Sequence, residues 1–352
     1  MLKKIAYIEL DTHAEIAANF MTLMGNSVQF SIDYYFSEKI ISQLGKHESN
    51  VFFSESTELL NQLRQKKYDL VIIGTVHRYF NLFNEIVENY NSAVIIHNLN
   101  FVNISRFQLF KNIFKKDFKY RLKLWLKEDL LSAPEVFKKA KNLLVLDEGL
   151  IRYRPKFNLK LLPVFFLKQY KKPSKSIITV VVPGTVSQHR RDYQHIFESI
   201  QTFKLKSSIQ FIFLGKAENK ELILLKNLER KLPKNISLRY FEEKVPVEIF
   251  DDLIMKASIL WCPIQKETEF FSNKEIYGKT KMSGNIGDAV KYGKFAIFPG
   301  GYVSSHPFII AESKNIEEQL YSYDQSMEYD FQEEFNKNKI TAELEETLHS
   351  LL

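Results

Sequence analysis

The chain has 352 residues, more than a single hydrophobic core usually supports, so two domains are expected. Apolar residues make up 45% and charged residues 26%, the proportions of a soluble globular protein, and a single cysteine, Cys262, excludes an intrachain disulfide or a cysteine-based metal cluster. The net charge of +7 favours anionic partners, namely nucleotides, phospholipid surfaces or nucleic acid.

The N-terminus carries Lys3 and Lys4, but the apolar run behind them breaks at Glu9 and Asp11, too short for a signal peptide. The apolar stretch Leu161 to Leu167 is too short to span a bilayer. Cys262, beside Trp261, reads as a small buried strand residue and fits a reducing compartment. The expected location is the cytoplasm, with a peripheral place on the inner face of the membrane.

Strand and helix patterns alternate along the chain. Ile5 to Leu10 opens the fold as a strand, and His13 to Met24 is a helix ending near Gly25. Val28 to Phe36 alternates as a strand, followed by a short helix at Ile40 to Leu44, a short strand at Val51 to Phe53 and a helix at Leu59 to Lys66. Asp69 to Gly74, Ala93 to His97 and Asn142 to Leu146 are continuous Val/Ile/Leu runs separated by the helices Phe83 to Tyr90 and Val136 to Lys141. Such runs indicate a parallel sheet covered on both faces. Residues 1–150 therefore read as one Rossmann-like domain. Residues 151–176, with Pro155, Pro163 and Pro173 and many basic residues, read as a linker. A second alternation follows: strands at Ile177 to Val182, Gln210 to Leu214, Ile236 to Tyr240, Ile259 to Ile264 and Phe295 to Pro299, with helices at Arg191 to Thr202, Glu221 to Lys231 and Val247 to Ala257. It predicts a second Rossmann-like domain at 177–325 and an acidic, amphipathic helical tail at 326–352. The expected class is α/β, two doubly wound parallel-sheet domains facing across a cleft.

Ligands of open parallel sheets bind beyond the carboxyl ends of the strands, so the loops there carry the candidate chemistry. After the first strand, His13 could take a proton from an acceptor hydroxyl, and Asp11 or Glu15 could do so or orient it. The competing reading is a helix start capped by Asp11 or Thr12, with Glu15 as a first-turn acid. His97, Asn98, His77 and Arg78 at other strand ends are candidate acceptor or sugar contacts. In the second half, Gly184 permits close backbone approach, Thr185 offers a hydroxyl, and Arg190 and Arg191 can fork onto phosphate. Lys216 follows the next strand, and Val245 and Pro246 could lie against a base. The segment Glu275 to Val290 is the richest. Ser283 and Gly284 open a helix whose free N–H groups suit a diphosphate, with Tyr277, Lys279, Lys281 and Asn285 around them, and Glu275 and Asp288 could hold sugar hydroxyls. No GxGxxG or P-loop is present, and no metal-ligand cluster.

The stretch 106–129 is basic and aromatic. Phe110, Ile113, Phe114, Phe118, Leu122, Trp125 and Leu126 recur at helical spacing among Lys111, Lys115, Lys116, Lys119, Arg121, Lys123 and Lys127. It fits an anionic membrane surface or a helix packed on its own domain, and no nucleic-acid motif accompanies it.

The second half resembles the donor domain of GT-B glycosyltransferases, of the kind found in glycosyltransferase families 1 and 4. The resemblance is carried by Glu275, the loop through Ser283-Gly284, Asp288-Ala289, Gly293 and Ile297-Phe298-Pro299. Val245-Pro246 before a helix and the strand closing on Pro263 are also similar. It implies that Asp288 binds the ribose, that Glu275 contacts the transferred sugar, and that Lys279, Lys281, Ser283 and Gly284 face the diphosphate. Retaining members carry two glutamates seven residues apart, whereas here the second acid is Asp288 and the spacing is longer. An inverting course needs a base from the first domain, for which His13 or Asp11 fits, and the stereochemical course stays open. The expected activity is glycosyl transfer, without a metal or other cofactor, from a UDP- or GDP-linked sugar. The acceptor would be a glycan or lipid-linked molecule in surface polysaccharide, lipopolysaccharide or glycoconjugate synthesis. The alternatives are a nucleotide-sugar epimerase of the same architecture and a non-catalytic two-lobed binding protein.

Overall fold

The computed structural model describes residues 2–45, 48–153, 157–168, 170, 177–204, 207–322 and 329–352. The chain forms two compact units. Unit one comprises Met1–Val164, Glu269–Met282 and Lys337–Leu352, and unit two comprises Phe165–Thr268 and Ser283–Asn336.

Unit one is built on seven strands, β1 (Lys3–Glu9), β2 (Phe30–Phe36), β3 (Val51–Phe53), β4 (Leu70–Ile73), β5 (Ser92–Ile95), β6 (Asn142–Val145) and β7 (Leu159–Leu161), in the order β3-β2-β1-β4-β5-β6-β7. Every pairing is parallel. All four residues of β4 and of β5 are buried, as expected of strands covered on both faces. The helix Ala14–Met24 buries Ile16, Ala17, Phe20, Met21, Leu23 and Met24, and Phe80–Asn89 buries Phe80, Leu82, Phe83, Ile86 and Val87. Strand order reverses at β1, which pairs with β2 on one side and β4 on the other, so a crevice opens beyond the carboxyl ends of β1 and β4.

Unit two repeats the scheme. Strands β8 (Ile178–Pro183), β9 (Ile209–Lys216), β10 (Ile236–Phe241), β11 (Ile259–Trp261), β14 (Ala296–Phe298) and β15 (Ile309–Ala311) run in the order β10-β9-β8-β11-β14-β15, again parallel. Its reversal lies between β8 and β11. Two further strands, β12 (Glu267–Phe270) and β13 (Asn273–Ile276), form a separate two-stranded sheet. Both units are thus doubly wound α/β sheets, the expected class.

The expected boundaries need correction. The presumed linker 151–176 contributes β7 to the first sheet, because Leu159 and Leu162 are buried and the Leu162 N–H donates to the Val145 carbonyl at 2.8 Å. The junction falls at Val164 and Phe165, while Pro155 and Pro173 lie outside the described residues. Residues 269–282 were expected in the second domain but belong to unit one. The expected tail 326–352 also divides. Its helix Lys337–His349 buries Ile340, Leu344 and Leu348 in unit one, and Glu345 accepts from Ser27 Oγ at 2.5 Å and from Gln29 Nε2 at 2.7 Å. Among the described residues, no helix is long and apolar enough to cross a membrane.

Candidate functional site

At the reversal point of unit one, Glu9 ends β1 and is only 1% exposed. Its Oε1 accepts the N–H groups of Asp11 and Thr12 at 3.1 and 3.2 Å, and its Oε2 accepts Thr75 Oγ1 at 2.6 Å. The carboxyl thereby joins the loops after β1 and β4. Gly74 makes room for it, since a Cβ there would lie 2.6 Å from Oε2. Burial lifts the Glu9 pKa to about 7, against the lowering effect of its Thr75, Asp11 and Thr12 hydrogen bonds. The sequence reading treated Glu9 only as the break in an apolar run. The signal available was an acid closing a buried strand directly before a loop, with Gly74-Thr75 closing another.

The tightened loop delivers His13 in the left-handed region, at φ 63°, an uncommon conformation for a residue with a side chain. His13 is the N-cap of the helix Ala14–Met24, without a side-chain cap bond, so capping by Asp11 or Thr12 does not occur. Its ring stacks on His97 at 3.8 Å between centroids, and both rings meet His77 edge-on at 5.9 Å. His97 Nε2–H donates to the Gly74 carbonyl at 2.9 Å, which fixes its tautomer. Asn98 Nδ2 lies 3.3 Å from His77 Nε2 and Lys281 Nζ donates to Asn98 Oδ1 at 2.6 Å. Burial of the ring and then the Lys281 charge push the His13 pKa down, to about 4. Since the residue as a whole is exposed, solvent offsets part of that fall. His77 and His97 are held well below the ordinary value by burial first and neighbouring positive charge second. The result is three neutral imidazoles beside one ammonium. Beneath them a small cavity is lined by His77, His97, Asn98, Phe101, Phe137 and Phe270. Asp11 stands aside from this cluster with Lys39, whose Nζ is 3.7 Å from its carboxylate, and Glu15 is an exposed first-turn acid.

The segment 275–290 is divided between the two units. Glu275 is fully buried in unit one, where its Oε1 accepts the Phe101 N–H at 3.0 Å and its Oε2 the Asn100 N–H at 3.2 Å. Burial raises its pKa while Thr280, Asn100, Phe101 and Lys281 pull the other way. A carboxylate enclosed like this clamps the chain turn at Asn100 and does not face solvent, against the sugar contact expected of it as a catalytic residue. Residues 276–281 close a tight turn with Gly278 at φ 76° and Gly278 N–H donating to the Lys281 carbonyl at 2.9 Å. Tyr277 bridges to Lys281 within that turn, and Lys279 Nζ lies 5.0 Å from the Tyr153 ring centroid. Tyr277, Lys279 and Lys281 thus belong to unit one, whereas Ser283, Gly284, Asn285 and Asp288 belong to unit two.

In unit two, Ser283 caps the helix Gly284–Tyr292 by accepting the Asn285 N–H at 3.3 Å. Asn285 then links two charged groups: its Oδ1 accepts Arg191 Nη2 at 3.4 Å and its Nδ2 donates to Asp288 Oδ2 at 2.9 Å. The Arg191 guanidinium lies over Gly184, where a Cβ would come within 2.4 Å of it and where φ is 100°. Gly215 packs on the Gly184 backbone with no room for a Cβ, so the ends of β8 and β9 meet through two glycines. Arg191 Nε is buried without a hydrogen-bond partner. Thr185 and Arg190 are exposed beside it. Lys216 pairs with Glu218 at 2.6 Å, and Val245 and Pro246 lie at the start of the helix Val247–Lys256, with Pro246 exposed. Cys262 is fully buried and burial raises its thiol pKa, as suits a strand-end packing residue.

No protein-family model and no curated protein matches the sequence. Solved structures do. The lipopolysaccharide outer core galactosyltransferase WaaB in its apo form is 13% identical, over 99% of this chain and 100% of that one, with a TM-score of 0.56. HepE of Anabaena in complex with UDP is 11% identical, over 99% and 100%, with a TM-score of 0.58. The UDP-GlcNAc 2-epimerase of Methanocaldococcus jannaschii is 11% identical, over 99% of both chains, with a TM-score of 0.52. At such identities the likeness is one of fold, the GT-B fold.

Proposed function

We propose that the chain is a glycosyltransferase that moves a sugar from a nucleotide-sugar donor to an acceptor hydroxyl. The observation that carries this reading is Arg191. It is held over Gly184 at the reversal point of the second sheet, with a buried N–H unpartnered and the N-terminus of the helix Gly284–Tyr292 tied to it through Asn285. Transfer leaves negative charge on the departing diphosphate. A guanidinium and the free N–H groups of a helix start are groups that stabilise it as it forms. Thr185, Arg190 and Lys216 line the same strand ends, Asp288 is the group for the ribose, and Val245-Pro246 for the base. The reading calls for no resident metal or cofactor.

Unit one supplies the acceptor side. A neutral His13, stacked on His97, can accept the acceptor's proton as the new bond forms, with His97 and Asn98 placing the hydroxyl. Such a base fits an inverting course. A UDP-linked donor is the first choice, because HepE was solved with UDP, and GDP is the second. A glycan or lipid-linked acceptor at the cytoplasmic face of a membrane, in surface polysaccharide, lipopolysaccharide or other glycoconjugate synthesis, is supported by the likeness to WaaB. Membership among family 1 and 4-like enzymes rests on the Asp288-Ala289, Gly293 and Pro299 pattern.

The test is a thermal-shift screen of nucleotides and nucleotide sugars, followed by calorimetry on the best. Stabilisation by a nucleoside diphosphate, weakened at least about tenfold by Arg191→Ala, is the expected result. Unchanged affinity in that variant would remove the site. The likeness to the 2-epimerase favours one second reading, sugar epimerisation. Incubation of nucleotide sugars without acceptor separates the two, because only an epimerase yields an isomerised sugar nucleotide. A non-catalytic binding protein would bind the nucleotide yet turn over neither way.

A further inference from the structure

The basic, aromatic stretch of unit one is not the single helix its spacing suggests. It breaks at Phe114–Asp117, with Asp117 in the left-handed region at φ 50°, into the helices Arg106–Ile113 and Phe118–Glu128. Each helix buries one face: Leu109, Asn112 and Ile113 from the first, and Arg121, Leu124 and Glu128 from the second. Arg121 Nη1 donates to the Asn112 carbonyl at 2.5 Å and to Ser272 Oγ at 2.8 Å, and Glu128 pairs with Arg78 at 2.6 Å. The packing of both helices on unit one is therefore made by residues other than the exposed aromatics.

Those aromatics form a ridge. Phe107 is 66% exposed, Phe110 37%, Phe114 57%, Phe118 44% and Leu126 71%. The rings touch in series, Phe114 meeting Phe110 at 5.4 Å and Phe118 at 5.5 Å, and Phe110 meeting Trp125 at 5.3 Å. One continuous apolar surface thus spans the break between the helices. Lysines surround it: Lys111 lies 4.3 Å over the Phe107 ring, and Lys115, Lys119, Lys123 and Lys127 are exposed. A contiguous apolar patch rimmed by charged side chains, with these lysines outnumbering Asp117 and the Lys116–Glu269 pair, marks an interaction surface. Nucleic acid fits it poorly. Base stacking needs open ring faces, whereas Phe114 and Phe118 stack on each other and Lys111 covers Phe107. Bidentate phosphate recognition calls for arginine, and the arginine inside the second helix, Arg121, is buried.

We propose that this ridge docks unit one on an anionic lipid surface. Phe107, Phe110, Phe114, Phe118 and Leu126 enter the boundary between headgroups and acyl chains, and the surrounding lysines meet the headgroups. The proposal deepens the membrane-face part of the function proposed above, and it is tested without donor or acceptor so that the two can fail separately.

The experiment mixes the full chain with vesicles of phosphatidylcholine, with and without phosphatidylglycerol. Sedimentation and tryptophan fluorescence report binding, and of the two tryptophans Trp261 is fully buried while Trp125 lies on the ridge. Binding to the anionic vesicles with a blue shift that Trp125→Phe abolishes is the expected result. Phe107→Ser, Phe114→Ser and Phe118→Ser combined should abolish binding while leaving the thermal midpoint and nucleotide affinity unchanged, since all three rings are exposed. Charge reversal at Lys111, Lys115, Lys119 and Lys123 should lower the partition coefficient at least about 100-fold, at roughly fivefold per charge. Absence of wild-type binding to anionic vesicles, or undiminished binding by the serine variant, would overturn the proposal. So would a single-stranded RNA that binds instead and is lost with the same variants.

Discussion

His13 combines an unusual backbone conformation, a stacked imidazole and a nearby ammonium. Its pKa is lowered by burial of the ring and the Lys281 charge, less the part that solvent offsets, so the ring is unprotonated and competent to accept a proton at neutral pH. A limb of the pH–rate profile near the ordinary histidine value is therefore not expected. His13→Ala should lower kcat by about 10²- to 10⁴-fold, the usual span for a general base. Lys281→Met removes one of the two causes, so the His13 ring should titrate at higher pH in that variant, read from its ring-proton NMR shift. An unmoved titration would show that Lys281 does not act on the ring. Glu9 gives a test of opposite sign. Its folded pKa of about 7 lies above the ordinary carboxyl value of 4.5, so the folded state holds the proton more tightly. That contribution is complete below pH 4.5 and is lost as pH rises through 7, on the order of 3 kcal/mol in all. Glu9→Gln keeps an acceptor for the Asp11 and Thr12 N–H groups and a donor toward Thr75, and carries no charge. The stability difference between variant and wild type, from urea unfolding, should therefore grow in favour of the variant between pH 4.5 and 7 and then level off. A constant difference would show that Glu9 is charged throughout. His13, His97 and Asn98 were legible as strand-end polar residues, whereas their stacking and the clamp by Glu9 arise from contacts between loops distant in sequence, which no local pattern records.

Among the elements, the strand runs were readable because parallel strands buried on both faces are continuous apolar stretches. β7, β12, β13 and β15 were not, since none of them is a continuous run of buried apolar residues. The segment 275–290 shows a second limit. Its composition of glycines, lysines and acids suggested one anion site, yet its three glycines stand in three different local settings. Gly278 takes a positive φ in a turn, Gly287 admits Phe165 at a distance where a Cβ would clash, and Gly284 meets nothing. What holds 269–282 on unit one is Phe270 and Phe271 packed on Phe101, together with the burial of Glu275 and Thr280, polar residues whose partners lie at Asn100 and Phe101. Polar burial is invisible to hydrophobic periodicity. The pair Gly184 and Gly215, by contrast, has a sharp consequence for the ends of β8 and β9. Gly184→Ala would meet both the positive φ and the Arg191 guanidinium, so it should destabilise unit two by more than about 1 kcal/mol in thermal unfolding and also displace Arg191. If the midpoint held and nucleotide binding were unchanged, the close approach of Arg191 to β8 would have no functional weight.

The whole molecule is organised by a chain that leaves unit one at Val164 and returns to it twice, at 269–282 and at 337–352. Two alternating halves were visible in sequence, as were their sheets, but not the returns, because a helix pattern shows which face is apolar and not which core receives it. The last return is the more easily tested. Its helix Lys337–His349 buries Ile340, Leu344 and Leu348, followed by Leu351, and packs along the helix Ala14–Met24. Polar contacts add to this: His349 meets Gln29 at 2.6 Å, Asn91 donates to the Leu351 carbonyl at 2.9 Å, and Lys160 to the Ser350 carbonyl at 2.7 Å. Four buried aliphatic side chains at about 1.5–3 kcal/mol each make this contribution comparable with the net stability of an ordinary domain. A chain ending at Asn336 should therefore lose the cooperative unfolding of unit one while unit two still unfolds cooperatively. Calorimetry would show the loss of one transition, and nucleotide affinity, assigned here to unit two, should be retained. Loss of both together would mean that the units stand or fall as one, and the helix Lys337–His349 would then support the donor site as well as the core in which it is buried.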